Sequence, residues 1–167
     1  MNEVQEPRPS RAAPAELFAG YLDWYRETAI AKVTSVSAQE QRSSRLPSGW
    51  TPVEMLTHLA HMEQRWFVWG FLGEQVDAPW GDWAGERWHV PESTPVEDLV
   101  GFLRSVGERT RAVLSSTPLE EPGAIGGRFE EDPPTLAWIC FHVLQEYARH
   151  TGHLDVVVEL AGGPTRE

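Results

Sequence analysis

Six histidines fall at positions 58, 61, 89, 142, 150 and 153, and five of them sit in two short stretches of the chain. In the second stretch His142, Glu146 and His150 are spaced four residues apart, with His153 three further on. On an α-helix that spacing stacks side chains along one face, so two neighbours of the stripe can offer ligand atoms to one cation. A third ligand must come from another element, and the first stretch offers His58 and His61 beside the apolar Leu59 and Met62. Two imidazoles and one carboxylate with an open coordination position form a catalytic zinc set. A solitary histidine among apolar residues is more often a satisfied core or surface side chain. The pairing of two histidine-bearing segments with an H-x3-E-x3-H stripe is what points to a metal.

An open position on such an ion can take water, a thiolate or a substrate carbonyl. Coordination deprotonates a thiol and makes it a strong nucleophile at neutral pH; it likewise activates water for hydrolysis. The single cysteine, Cys140, lies more than two helical turns before His150 and reads as a small core residue. A thiol nucleophile would therefore come from outside the chain. Hydrolysis would need a general base beside the ion, for which His153 and Glu63 are the candidates. Arg65 and Arg149 are basic residues suited to the mouth of a pocket for an acidic thiol cofactor. Arg149, Asp155 and Glu63 are also candidates to orient the ligands, since metal-bound histidine usually needs an outer hydrogen-bond acceptor.

The elements that must position these groups are helical. Residues 14–36 carry Leu17, Tyr21, Trp24, Tyr25 and Thr28 at three- and four-residue steps. Thr51-Pro52-Val53-Glu54 is a capping box with proline at the first helical position, and Thr94-Pro95-Val96-Glu97 repeats it. These tetrads predict a second helix from 52 to about 70 and a third from 95 to about 117, closed by Pro118. The fourth runs from 134 to 160, between Asp132-Pro133-Pro134 and Gly162-Gly163-Pro164. Four helices of about 20 residues match an all-α four-helix bundle. The connection over 74–93 is too long for a tight turn and holds Trp80, Trp83 and Trp88, which predicts a flap over one end of the bundle. Strand is expected only as short pieces near 125–129.

Composition narrows the classes. A chain of 167 residues with 41% hydrophobic residues is long enough for one domain with a real core; residues 1–13 read as a loose tail and 14–167 as that domain. Eight tryptophans imply a large aromatic core, an indole-lined pocket, or both. A net charge of −11 with no basic stripe argues against a nucleic-acid partner. No run of about 18 apolar residues suggests a membrane span, and one cysteine without a signal-like N-terminus suggests a reducing cytoplasmic setting. Bundles of this kind often pair through an outer helix face, so a homodimer is an expectation.

Two strings, SGWTPVEMLTHLAHMEQRWF at 48–67 and FHVLQEYARHTGHLD at 141–155, carry a family resemblance. They resemble the DinB/YfiT-like superfamily of four-helix metalloproteins, and within it an actinobacterial, mycothiol-dependent branch. The resemblance covers roughly residues 14–161. It implies one histidine ligand from the second helix and two ligands four residues apart on the fourth, which places the site on His58, Glu146 and His150. It implies zinc, or nickel as in some relatives, and mycothiol as co-substrate in an S-transfer or isomerisation on a small electrophile. The wider superfamily also admits a metal-dependent hydrolase, and a non-catalytic metal- or ligand-binding protein is the third class. Gln145 departs from the branch, which commonly has an acid there, and Val158-Glu159 stands where Arg-Glu is common.

Overall fold

The computed structural model describes residues 5–164; residues 1–4 of the expected tail and 165–167 of the expected domain lie outside the described residues. Helix α1 spans Pro14–Thr34, a short α2 spans Ala38–Gln41, α3 spans Pro52–Glu63 and continues as a π-helix over Gln64–Phe71, α4 spans Val96–Ser116 and α5 spans Leu136–Leu160. The only strands among the described residues are β1 (Trp83–Ala84) and β2 (Arg87–Trp88), an antiparallel pair with Trp83 opposite Trp88. Strand thus forms inside the long loop and not near 125–129, where the chain is irregular. Gly85 and Glu86, at φ of 57° and 64°, make the two-residue turn between these strands, the left-handed pair that suits a tight hairpin.

The helix starts follow local chemistry, with two departures from the expected signals. At α3 the capping box is complete: the Thr51 amide donates to Glu54 Oε2 at 2.8 Å and the Glu54 amide to Thr51 Oγ1 at 3.3 Å. At α4 it does not form. Pro95 takes the cap position with no side-chain bond, and the Thr94 carbonyl accepts from the Arg42 guanidinium at 2.5 Å. Glu97 and Asp98 in the first turn complement the helix dipole instead. At α5 the cap is Thr135, whose hydroxyl accepts from the Trp138 amide, so the helix begins after the Pro133-Pro134 pair and not on it.

The four long helices are arranged so that α1 packs on α4 and α5, and α3 packs on the same two. The α1–α3 and α4–α5 pairs are therefore diagonals, and the links between them (35–51 and 117–135) must cross an end of the bundle. The α3–α4 link joins neighbours and needs only a short turn. Its length over 72–95 is in excess of what the topology requires, and that excess forms the β hairpin.

The core between the helices is apolar, with Leu22, Leu56, Leu59, Phe67, Leu103, Ile139 and Tyr147 fully buried. One polar group lies at its centre. Glu63, at the last α-turn of α3 and 0% exposed, accepts from Arg26 Nε at 3.2 Å and Nη2 at 2.7 Å, from Thr110 Oγ1 at 2.6 Å and from the Tyr147 hydroxyl. Those partners belong to α1, α4 and α5 respectively. Burial alone would lower the Arg26 pKa, but the Glu63 carboxylate beside it raises it above the ordinary value. Burial and the same carboxylate push the Tyr147 hydroxyl well up. Gly107 makes room for this pair: a Cβ there would lie 2.4 Å from the Arg26 guanidinium.

Replacing Glu63 with Ala leaves a buried guanidinium without its partner, a change that typically costs about 3–5 kcal/mol. Chemical denaturation should show a loss of that order, against about 1 kcal/mol for Thr51→Ala at the α3 cap. Equal losses in the two variants would mean that Glu63 is not the central tie.

Candidate metal centre

His58 projects from α3, and Glu146 and His150 project from the neighbouring α5 one turn apart. One ligand atom from each of the three lies within 4.8 Å of the others. His150 Nε2 and Glu146 Oε2 are 3.0 Å apart. The other Glu146 oxygen, Oε1, accepts from Gln145 Nε2 at 2.6 Å, so the residue that departs from the branch pattern orients the carboxylate of the triad.

His58 is held from the opposite side. Its Nδ1 lies 2.8 Å from Asp82 Oδ2, and Asp82 is 2% exposed. Arg65 grips the same carboxylate at 2.6 and 3.1 Å and donates to the Pro79 carbonyl at 2.9 Å. Burial would raise the Asp82 pKa, but the hydrogen bonds from His58 and Arg65 hold it down to about 2. A carboxylate on Nδ1 fixes that nitrogen as the protonated one and leaves the Nε2 lone pair for a cation. Burial, then the nearby His58, lower the His150 pKa to about 4, which keeps its imidazole neutral. Trp88 of the hairpin covers both rings: it stacks on His58 at 4.3 Å and 21° and meets His150 edge-on at 5.4 Å. Two converging imidazoles and a carboxylate, an outer carboxylate on one histidine and an indole cover fit a divalent cation by donor type and by arrangement.

The remaining candidates separate by position. His153 is exposed, with its ring 5.7 Å from that of His150. His61 does not join the triad; its ring lies under Gly81 of the loop and edge-on to Phe102 at 5.0 Å. His142, one turn before Glu146, stacks on Trp138 and lies 4.3 Å from Trp66. Glu63 gives its acceptor capacity to Arg26, Thr110 and Tyr147, and the acceptor on His58 is Asp82 in its place. Arg65 is buried in the loop clamp and does not stand at a pocket mouth. Arg149 is exposed and makes no ion pair among the described residues. Asp155 pairs with Lys32 of α1 and not with a ligand. Cys140 is buried, and burial pushes its thiol up to about 12. Asp82 was not among the sequence candidates. It is one acid among several in a loop, and its pairing with a histidine 24 positions away has no local signature.

A helical bundle that brings two imidazoles and a carboxylate together from facing helices is a DinB-like fold with a metal-type donor set. A DinB-like protein from Bacillus cereus ATCC 10987 shares this fold at a TM-score of 0.63 and 15% identity, over 91% of this chain and 95% of that one. No curated protein matches the chain. The family model for mycothiol-S-transferase matches residues 17–163, and the chain belongs to that family. No helix among the described residues is long and apolar enough to cross a membrane.

His150→Ala should abolish binding of a divalent ion, read by elemental analysis, while circular dichroism shows the helices unchanged; full occupancy in that variant removes His150 from the site. Asp82→Asn should weaken metal affinity by roughly 10- to 100-fold, the usual effect of losing an outer partner of a histidine ligand. Asp82 has a further pH signature. Between about 2 and the ordinary value of 3.8 the unfolded chain binds a proton that the folded chain does not, so stability rises with pH across that window. It is lost as the pH falls toward about 2, and Asp82→Asn should flatten that part of the acid-unfolding profile.

Proposed function

We propose that this protein is a metal-dependent thiol S-transferase that joins a low-molecular-weight thiol, mycothiol, to a small electrophile. The observation that carries the reading is a converging His58–Glu146–His150 triad in a chain whose only cysteine is buried inside the bundle. The nucleophile must then be external, which agrees with the family to which residues 17–163 belong.

His58, Glu146 and His150 would hold the ion, and zinc would suit two imidazoles and one carboxylate. A divalent ion there would supply the Lewis acidity that keeps a thiol sulfur ionised at neutral pH. Asp82 keeps His58 in one tautomer, and Gln145 fixes the rotation of the Glu146 carboxylate. Trp88 excludes water from the face of His58, which strengthens every charge interaction at the site. His153 accepts the thiol proton and passes it to solvent, to which it is exposed. Arg149, exposed one residue before His150, contacts the thiol's polar body. The sulfur–carbon bond then forms as the leaving group departs with its electron pair. Hydrolysis at the same triad would also need a base; Glu63 is committed to Arg26, so of the two candidates that rival reading would have to use His153.

Monobromobimane mixed with mycothiol and the metal-loaded protein should give the thioether and bromide faster than the uncatalysed reaction. Glu146→Ala should lose this activity together with the metal, and His153→Ala should lower kcat while metal content is kept. If mycothiol, bacillithiol, glutathione and cysteine all fail to give adduct above background, the transferase reading falls. Cleavage of an ester or amide without thiol would replace it with a hydrolase.

A further inference from the structure

A second cluster lies beside the metal centre and is not used by it. Arg128 sits in the 117–135 link, with its guanidinium over the ring of Trp66 at 4.1 Å and 5.7 Å from Trp80. Its Nη1 is buried without a hydrogen-bond partner, and the side chain makes no ion pair among the described residues. Arg65 stands over the same Trp80 ring at 4.4 Å. The two guanidiniums differ in one respect: Arg65 is neutralised by Asp82, whereas Arg128 has no counter-charge among the described residues. A half-buried cation without an acceptor is costly, and burial with the Arg65 charge lowers its pKa accordingly.

The fold holds Arg128 in this place closely. Its amide donates to the Trp69 carbonyl at 3.0 Å. Gly127 admits that approach, since a Cβ there would lie 2.1 Å from the Trp69 oxygen. Gly70 on the π-helix does the same, since a Cβ there would meet Phe129 at 3.2 Å. The cluster also connects to the triad. His142 lies 4.3 Å from Trp66, and Glu146 follows it one helical turn on, a rise of about 5–6 Å.

We infer that Arg128 is the anchor for the carboxylate of a small planar acid, held against the indole of Trp66 with its other end toward the triad. One uncompensated positive charge matches a monoanion. The planar guanidinium fork matches a carboxylate in two parallel hydrogen bonds, and the indole walls match a flat apolar body. This deepens the proposed reaction by naming its electrophile as an acid-bearing aromatic or unsaturated compound. It rests on that reading only for what the anchored molecule then undergoes.

Binding and turnover test the two separately. Benzoate titrated into the metal-loaded protein should quench tryptophan fluorescence to saturation, with the neutral benzamide weaker by about tenfold or more, the worth of one charge-assisted contact. Arg128→Met, which keeps length and apolar contact, should lose that preference, and His150→Ala should keep it. Equal affinity for benzoate and benzamide, unchanged benzoate binding in Arg128→Met, or loss confined to His150→Ala would overturn the assignment, the last by placing the anion on the metal. Inorganic phosphate binding more tightly than benzoate would overturn the choice of a carboxylate. In turnover with mycothiol, Arg128→Met should raise KM for 4-(bromomethyl)benzoate and not for 4-methylbenzyl bromide; bromide leaves as the sulfur–carbon bond forms in both. If neither compound reacts while benzoate binding still requires Arg128, the transferase reading fails and the anchor stands.

Discussion

The bundle depends on one carboxylate. Glu63 of α3 is reached by a donor from each of the other three long helices: Arg26, Thr110 and Tyr147. Apolar packing is tolerant of small slides and rotations, whereas a buried carboxylate with several fixed donors is not. The node therefore sets the axial register of α3 against α5. His58 lies five residues before Glu63, and Tyr147 lies between Glu146 and His150 on α5. The geometry that holds the core together is thus continuous with the geometry that brings the triad together. The structural and chemical uses of α3 differ by about one and a half turns of one helix.

A second constraint acts from outside the bundle. The excess length of the α3–α4 link is folded back by Arg65, which binds Asp82 and stands on Trp80. Asp82 in turn holds His58, and the hairpin lays Trp88 over the ring. The loop is therefore attached to the helix that it serves through a buried ion pair. Arg87 adds a weaker tie from the hairpin to Glu54, the same residue that closes the α3 capping box.

Much of this was legible in the chain. Helical periodicity, the Thr51–Glu54 box and the four-residue spacing of Glu146 and His150 are local properties, and local rules read them correctly. The second TPVE tetrad shows the limit: the same residues make no box at α4, because Arg42 claims the Thr94 carbonyl and Pro95 takes the cap. Glu63 and Arg65 were recognisable as residues able to do chemistry, but their partners are long-range. Glu63 meets Arg26 across 37 positions and Arg65 meets Asp82 across 17, and no periodicity encodes either pair. The tryptophans signalled an aromatic site without saying which indole would face the histidines and which would face Arg128. His61 and His58, so alike in sequence context, stand only about 60° apart around the helix and about 4.5 Å apart along it, and that offset is enough to set His61 against Phe102 and Gly81 instead of the triad.

The π-helix over Gln64–Phe71 is where the continuation of α3 departs from regular α-helical winding. A widened turn of this kind is an α-helix carrying an extra residue, and such turns occur frequently at functional sites. Deleting one residue there would restore the α-helix and rotate everything beyond it by about 100° relative to His58 and Glu63. Trp69, whose carbonyl receives the Arg128 amide, would swing away from the link that docks on it. This stretch is consequently intolerant of changes in length even where it tolerates changes in residue type. Across related chains, a gap or insertion in this segment should coincide with a rebuilt 117–135 link, the two segments changing together as one inherited unit.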